Sequence, residues 1–315
     1  MKRLLKNLCI FLALLMLLSF CVDYVVTSGL RKSDIRKYAV WNDIFDSEID
    51  ADVLIMGSSE TWCGYNTYII DSLLNCNSYN IAIDGHGFRY HLLRYNTYRR
   101  FCPRPKLIIL NLDIPGILGD DGGYAYEREQ FFPYIRDDSL IDQIACDKRI
   151  TIFDKYLPLY RYYGYRDDIE DGFRSYFGRP YIDGGMYKGY RGNEYEWSYG
   201  SLSIDTLFKA PNDPKIVCLI NDFVRTAKSE GIAMVLVEFP EFYSLRNKFS
   251  NVSEVEAAFN KLASENQIPI LDYSFAGICY DTTLYYNPSH LNKKGSELFT
   301  MELCKDLDSL GILQN

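Results

Sequence analysis

Two residues far apart in the chain have the side-chain types of a nucleophile and a general base. Ser59 follows an apolar run in the segment Gly57-Ser58-Ser59-Glu60. A hydroxyl placed where a strand leads into a helix lies near backbone N–H groups that can stabilise an anion. His290 stands shortly before the last predicted helix, in the segment Asn287-Pro288-Ser289-His290. Its imidazole could reach Ser59, with Asn287 orienting the ring.

A third segment, Asn80-Ile-Ala-Ile-Asp84-Gly85-His86, follows the second predicted strand. Gly85 there would let a backbone N–H approach a reacting centre closely, although glycine serves ordinary turns equally well. His86 could be a base or a turn residue. Each of these features also has a structural explanation, because Ser58 or Ser59 could simply cap a helix. The chain contains 3 histidines, so an imidazole mechanism has few candidates.

The elements that must position these residues alternate between short apolar runs and segments with helical spacing. This alternation predicts a parallel sheet with right-handed crossovers, and ligand sites in such sheets lie at the carboxyl ends of the strands. The predicted strands are 52–56, 79–83, 106–110, 233–237 and 268–272, and the predicted helices are 67–74, 88–101, 215–229, 252–266 and 293–307.

The alternation is interrupted between about residues 115 and 214. Within 121–200 lie 14 of the 27 tyrosines and 10 of the 21 glycines. We interpret 115–214 as an insertion with helices of its own, because a structureless loop of that length is implausible in a compact domain. The predicted organisation is a signal-anchor or transmembrane segment at 1–28, a polar stalk at 29–50 and one α/β domain at 51–315.

The N-terminus has the pattern of a membrane address. Lys2, Arg3 and Lys6 precede an apolar run over 8–22, and a helix over 8–26 would be about 28 Å long, enough to cross a bilayer. The pattern fits an uncleaved anchor or a signal peptide cleaved after Ser28. We favour a single anchor with the rest of the chain outside the cytoplasm.

Composition excludes several classes of function. The 315 residues carry a formal net charge of −8, which argues against nucleic-acid binding because a phosphate backbone requires a basic face. The 9 cysteines form no CxxC pair and no zinc-ligand spacing, and no Gly-rich loop that could cradle a phosphate is present. We expect neither a metal nor a cofactor, and a nucleotide-binding domain ranks last among the alternatives.

Together, the three segments resemble the SGNH/GDSL hydrolase superfamily, within it most closely the membrane-anchored bacterial group related to DltD and to polysaccharide O-acetylation proteins. The first block of that group is a strand followed by Gly-Ser-Ser, and the second, Tyr-Asn-x-x-x-Asp-Gly, is matched by residues 79–85. The last, Asp-x-x-His-Leu-Asn-x-x-Gly, is matched by residues 287–295 except that Asn287 stands in place of the aspartate. The resemblance implies a flavodoxin-like three-layer α/β sandwich around a central parallel sheet.

The resemblance also implies residue roles. Ser59 would be the nucleophile and His290 the general base, and the N–H groups of Ser59 and Gly85 would form the oxyanion hole. The side-chain donor that the superfamily places after the third strand would be Asn111, with Asp113 as the alternative that aligns about as well. Asn287 can orient an imidazole but cannot stabilise imidazolium by charge, and Asp281 or Asp272 could replace that charge in space.

The function implied is acyl transfer outside the cytoplasm. The chain would be a serine esterase or an O-acyltransferase acting on acyl esters of cell-envelope glycans, with a membrane-bound O-acyltransferase as partner. The insertion would hold either a glycan groove or a packed cap over the sheet. The alternative is a catalytically degenerate, membrane-tethered binding or assembly factor that retains the fold, which the presence of Asn287 favours.

Overall fold

The computed structural model describes residues 1–119, 127–144, 150–181, 186–197 and 207–313. Parts of the predicted insertion therefore lie outside the described residues. The chain forms two compact units, which we describe separately. The anchor unit comprises Met1–Asp43 and Gly123–Gly184, and the sheet unit comprises Ile44–Gly122 and Gly185–Asn315.

The helices and strands follow one another in the predicted order. The α-helices are α1 (Lys2–Leu30), α2 (Arg36–Phe45), α3 (Ser59–Gly64), α4 (Thr67–Leu74), α5 (Phe88–Phe101), α6 (Asp138–Ile144), α7 (Ile152–Tyr156), α8 (Arg166–Tyr176), α9 (Pro214–Ser229), α10 (Tyr243–Arg246), α11 (Val252–Asn266) and α12 (Lys293–Ser309). The strands are β1 (Val53–Met56), β2 (Ser78–Asn80), β3 (Leu107–Leu112), β4 (Met186–Tyr187), β5 (Tyr190–Arg191), β6 (Ala233–Glu238), β7 (Ile270–Asp272), β8 (Tyr285–Asn287) and β9 (His290–Leu291). Short 3₁₀ helices span Arg128–Tyr134, Tyr160–Tyr162, Gly277–Tyr280 and Thr282–Leu284.

The sheet unit is built on a five-stranded parallel sheet with strand order β2-β1-β3-β6-β7. Numbered within the sheet alone, this is the doubly wound order 2-1-3-4-5 of flavodoxin-like folds. All residues of β1 and β3 are buried, as expected for strands that are covered on both faces. The predicted α/β class and central parallel sheet are confirmed.

Helices cover both faces of this sheet. Val53, Ile55 and Ile109 pack in one cluster with Phe299 and Leu303 of α12, so α12 covers that face. Because successive side chains of a strand point to opposite faces, the remaining strand residues face a second layer of helices. The other layer contains α5, α9 and α11, where α9 contacts both neighbouring helices and β6.

The strand at 79–83 is shorter than predicted. Regular pairing ends at Asn80, although Ile81 and Ile83 still donate backbone hydrogen bonds to Ile55 and Gly57. The backbone N–H of Ala82 donates to the side-chain oxygen Oδ1 of Asn80 at 3.0 Å. That local bond replaces the next step of the ladder and directs the chain towards Gly85.

The anchor unit packs the C-terminal part of α1 against α8. Its core includes Val26, Leu30, Tyr38, Phe132 and Tyr162. The two helices approach closely at a pair of glycines, since a Cβ on Gly29 would lie 1.7 Å from the carbonyl oxygen of Gly172.

Two predicted segments contribute to this unit. The segment 29–50, expected to be a stalk, contains α2, whose Trp41 is fully buried and donates its indole N–H to Gln130 at 2.9 Å. The segment 115–214 contributes α6, α7 and α8 to it. Among the described helices α1 is long and apolar enough to cross a membrane, a property it shares with signal sequences.

Candidate active site

Ser59 lies at the carboxyl edge of the sheet, where β1 ends and α3 begins. Gly57 makes this tight connection possible, because a Cβ there would lie 1.9 Å from Thr61 Oγ1 and 2.8 Å from Asn111 Cβ. Ser59 is the first residue of α3, so its backbone N–H has no partner within the helical ladder. Asn80 supports α3 from the neighbouring strand by donating its amide N–H to the Thr61 carbonyl at 2.8 Å.

His290 is carried by the β8–β9 hairpin, in which it pairs with Asn287. The residues that follow hold the hairpin against the start of α12. Asn292 caps α12 by accepting from the N–H of Gly295 at 3.0 Å and donates to the Thr283 carbonyl at 2.8 Å. Gly295 is required by close packing, since a Cβ there would lie 2.1 Å from the Leu284 carbonyl oxygen.

The fold brings Ser59, His290 and Asn287 into one hydrogen-bonded chain. Ser59 Oγ lies 2.7 Å from His290 Nε2. His290 Nδ1 lies 2.9 Å from Asn287 Oδ1 and 2.7 Å from Ser289 Oγ. These distances fit a nucleophile, a base and a residue that orients the base.

The Asn287 amide is held in one orientation. Its Oδ1 accepts from the backbone N–H groups of Ser289 and His290, both at 3.0 Å, and from the Ser289 hydroxyl at 3.0 Å. A flipped amide would turn its NH₂ group towards these three donors. The oxygen therefore faces His290, and the ring satisfies it by carrying its proton on Nδ1. Nε2 is then left with a lone pair to accept the Ser59 proton.

The histidine of this site has a low proton affinity. Burial lowers the pKa of His290 to about 4, and the nearby Asp84 carboxylate opposes that shift. The imidazole is neutral at neutral pH and available as a base. Its conjugate acid is poorly stabilised, because Asn287 carries no charge.

Ser59 and His290 open onto a cavity of about 340 Å³. Gly85 lines it and has a positive φ of 68°, a conformation that favours glycine and exposes its backbone to the cavity. The cavity is lined by Ser58, Ser59, Glu60, Gly85, His86, Gly87, Asp113, Pro115, Gly116, Leu245, Phe249, Ser289 and His290.

The structure distinguishes between Asn111 and Asp113, the two candidate oxyanion donors at the end of the third strand. Asn111 is fully buried, accepts from the Tyr65 hydroxyl at 2.6 Å and is not part of the cavity wall. Asp113 is in the wall, where it accepts from Ser58 Oγ at 3.2 Å and from the N–H of Ile117 at 3.0 Å. At this position the cavity therefore has a carboxyl group, which would repel an oxyanion.

Neither proposed substitute for the missing aspartate contacts the histidine. Asp281 accepts from the backbone and hydroxyl of Thr283 at 2.9 and 2.7 Å, capping a 3₁₀ helix. Asp272 accepts from the N–H of Ser274 at 2.9 Å. The hydrogen-bond partners that the structure gives His290 Nδ1 are Asn287 and Ser289.

Sequence reasoning missed a buried acidic group beside the nucleophile. Burial, reinforced by the Glu241 and Asp113 carboxyls, raises the pKa of Glu60 well above its ordinary value. Burial and Asp113 likewise raise the pKa of Glu241. Glu60 directly follows Ser59 and Glu241 follows β6, so both occupy the sheet edge where functional residues were sought.

His86, a candidate base in the sequence, and Cys63, which lies close to Ser59 in the chain, have other environments. His86 is buried, lines the cavity and packs against Tyr90 in a tilted arrangement with ring centroids 4.2 Å apart, whereas the group that accepts from the Ser59 hydroxyl is Nε2 of His290. Cys63 is buried, and burial raises the pKa of its thiol, so it is not an activated nucleophile. The described residues contain no cluster of metal-ligating side chains.

No protein-family model and no curated protein matches the sequence. Solved structures that resemble the chain include a candidate acylhydrolase from Bacteroides fragilis, with 13% identity, a TM-score of 0.42 and coverage of 87% of this chain and 96% of the other. A candidate platelet activating factor from Streptococcus pneumonia has 10% identity, a TM-score of 0.41 and coverage of 95% and 98%. A GDSL-like lipase from Bacteroides thetaiotaomicron has 11% identity, a TM-score of 0.39 and coverage of 85% and 96%. At these identities the function must be argued from the site itself.

Proposed function

We propose that this protein is an SGNH-type serine esterase or O-acyltransferase. The observation that carries the proposal is the hydrogen-bonded chain from Ser59 through His290 to Asn287, with the amide oxygen held towards the ring. When the aspartate of a serine-protease triad is replaced by asparagine, the histidine adopts the wrong tautomer and kcat falls by about 10⁴-fold. Here the three donors to Asn287 Oδ1 select the tautomer that catalysis needs.

The reaction would proceed in two steps. His290 Nε2 takes the proton of Ser59 Oγ as that oxygen bonds to the ester carbonyl carbon. The N–H groups of Ser59 and Gly85 would stabilise the resulting oxyanion. The carbon–oxygen bond to the leaving group then breaks, and His290 returns its proton to the departing alkoxide. In the second step His290 deprotonates water or a sugar hydroxyl as that oxygen bonds to the acyl carbon. The bond from this carbon to Ser59 Oγ then breaks, and His290 returns the proton to Ser59, which releases the acid or the new sugar ester.

The carboxyl groups of the cavity wall support a hydroxyl-rich substrate. Asp113 and Glu60 can both hydrogen-bond to hydroxyl groups, Glu60 in the protonated form that its raised pKa favours. We propose an acylated cell-envelope glycan as substrate and a membrane-bound O-acyltransferase as the source of acyl groups. The likeness of residues 79–85 and 287–295 to the DltD-related group supports both.

The membrane address completes the proposal. We propose that α1 is a membrane anchor and that the rest of the chain lies outside the cytoplasm. The large apolar side chains of α1 up to Phe20, such as Leu4, Phe11 and Leu17, are exposed to the surroundings and not buried in protein. An exposed apolar helix of 29 residues is stable when lipid covers it.

The proposal is tested with the full chain in detergent micelles. Turnover of p-nitrophenyl acetate, and acetyl transfer from it to an oligosaccharide, are measured for the parent, Ser59→Ala and Ser58→Ala. We expect Ser59→Ala to abolish both reactions and Ser58→Ala to retain them, because Ser58 Oγ donates to Asp113 and not to His290. Equal activity in the two variants would refute the nucleophile assignment. No activity in the folded parent would instead favour the non-catalytic assembly factor.

A further inference from the structure

Exposed aromatic side chains surround the point where the apolar part of α1 ends. The exposed apolar residues of this helix continue to Phe20. Asp23 stands three residues later and is almost fully buried, with 3% of its surface exposed. Tyr24 beside it is 64% exposed. At about 1.5 Å per residue, Asp23 lies about 5 Å beyond Phe20 along the helix axis.

The segment after α7 is fixed to α1 at this level. The N–H of Leu159 donates to Asp23 Oδ1 at 2.9 Å, and Arg161 Nη2 pairs with Asp23 Oδ2 at 2.8 Å. Arg161 also donates to Thr27 Oγ1 at 2.7 Å. Both charged side chains of the pair are nearly inaccessible to solvent. Tyr160 stands between Leu159 and Arg161 in the chain and is exposed, and the exposed ring of Phe153 lies 5.7 Å from the Tyr160 ring; Tyr156, in the same helix as Phe153, is exposed as well.

The end of α8 reaches the same level on α1. The two helices are antiparallel, because Ser33 binds Asp171 and Gly29 lies against Gly172, whereas the Tyr24 ring lies 6.4 Å from that of Tyr176. Phe177 follows directly and is 68% exposed.

Single exposed hydrophobic residues are normal on protein surfaces, but a group of rings at one level of an apolar helix is not. Tyrosine and other aromatic rings favour the interface between the hydrocarbon core and water. Each interfacial layer is roughly 5–8 Å thick, which includes the level of Asp23 if the hydrocarbon ends near Phe20. The aromatic surface comprises Tyr24, Phe153, Tyr156, Tyr160 and Phe177.

We propose that this aromatic surface lies in the lipid headgroup layer and makes the anchor unit an interfacial membrane-binding element. The inference rests on the membrane attachment proposed above. It requires that α1 is retained, because cleavage after Ser28 would remove both Asp23 and Thr27 and leave the buried Arg161 without these partners. The bilayer would then hold the anchor unit at a fixed depth.

The test places single reporter tryptophans in the full chain reconstituted into phosphatidylcholine vesicles. Phe153→Trp and Phe177→Trp report on the aromatic surface, and Arg166→Trp, exposed at the opposite end of α8 about 15 Å away, is the matched control. Emission is compared with the parent chain, which has 3 tryptophans. Quenching is measured with aqueous iodide and with a lipid that carries a nitroxide near its headgroup.

We expect iodide to quench the two surface reporters several-fold less than the control, and the nitroxide lipid to quench them several-fold more. Equal quenching of all three reporters by iodide would overturn the inference. Carbonate extraction and vesicle flotation of the same samples report on membrane attachment. A chain that fails to float would overturn both attachment and interfacial placement, whereas esterase turnover tests the proposed chemistry independently.

Discussion

The most informative perturbation restores the charge that the candidate triad lacks. In Asn287→Asp a carboxylate oxygen would take the place of the amide oxygen, 2.9 Å from His290 Nδ1. An opposite charge at such a distance raises a pKa by about 1–3 units. The pKa of His290, about 4 in the parent, would rise into the range of about 5–7.

The magnitude follows from titration of the base. His290 must be neutral to accept the Ser59 proton, so activity is present above its pKa and is lost as pH falls through it. At pH 5 about nine-tenths of the parent would be active, but only about one-tenth of a variant with a pKa of about 6. At pH 8 His290 is neutral in both the parent and the variant. There the added charge stabilises imidazolium by up to about 1.4 kcal/mol per unit of pKa, so the plateau rate should rise by up to about tenfold per unit.

The assay is the pH dependence of kcat/KM for p-nitrophenyl acetate between pH 4 and 9, with the full chain. Asn75→Asp is the matched control, because it makes the same charge change on an exposed residue at the end of α4. The account predicts that the acid limb moves to higher pH only in Asn287→Asp. An unshifted limb, or a plateau that falls, would refute the role assigned to the Asn287 amide.

Three further predictions concern the structure that supports the site and the anchor. Gly57→Ala should lower stability by about 1–3 kcal/mol, because the new Cβ would overlap the Thr61 hydroxyl; an unchanged melting temperature would contradict this. Glu241 has a raised pKa when folded, so it favours the folded state at low pH and this contribution is lost as pH rises above the ordinary carboxyl range. Glu241→Gln should therefore gain stability at pH 8 relative to pH 5, by about 1.4 kcal/mol per unit of raised pKa in denaturant titrations, and equal gains at both pH values would show that the group is not protonated when folded. Asp23→Asn should destabilise the anchor unit by about 3–5 kcal/mol by leaving Arg161 buried without its ion pair, seen as faster proteolysis within 150–181, and unchanged proteolysis would argue that the pair is not buried in solution.

The regular parts of the sheet unit could be predicted from the sequence because their residue patterns are local. Helices α5 and α11 begin and end at the predicted residues, and each predicted strand is present. The apolar runs of β1 and β3 have no alternation because both faces are covered. Ser59, His290 and Asn287 could be predicted to meet because Ser59 follows the first strand and the other two residues stand just before the last helix, and the structure joins Ser59 to His290 by a hydrogen bond.

The rest depends on contacts that local patterns do not encode. The choice between Asn111 and Asp113 depends on which side chain faces the cavity, and β3 continues to Leu112, beyond its predicted end. The polar segment after α1 contains the buried Trp41, which packs against a part of the chain about 90 residues away. The carboxyl pair of Glu60 and Glu241 likewise joins two distant strand ends, so neither residue was distinctive on its own.

The central claim is that Ser59 is a working nucleophile. The most direct measurement is reaction of the full chain with a fluorophosphonate, in which the serine oxygen bonds to phosphorus and fluoride leaves, followed by peptide mass mapping. The account predicts one adduct on Ser59, absent from its neighbour Ser58 and from Ser289, and lost in His290→Ala. An adduct on another serine, or none on the folded chain, would contradict it.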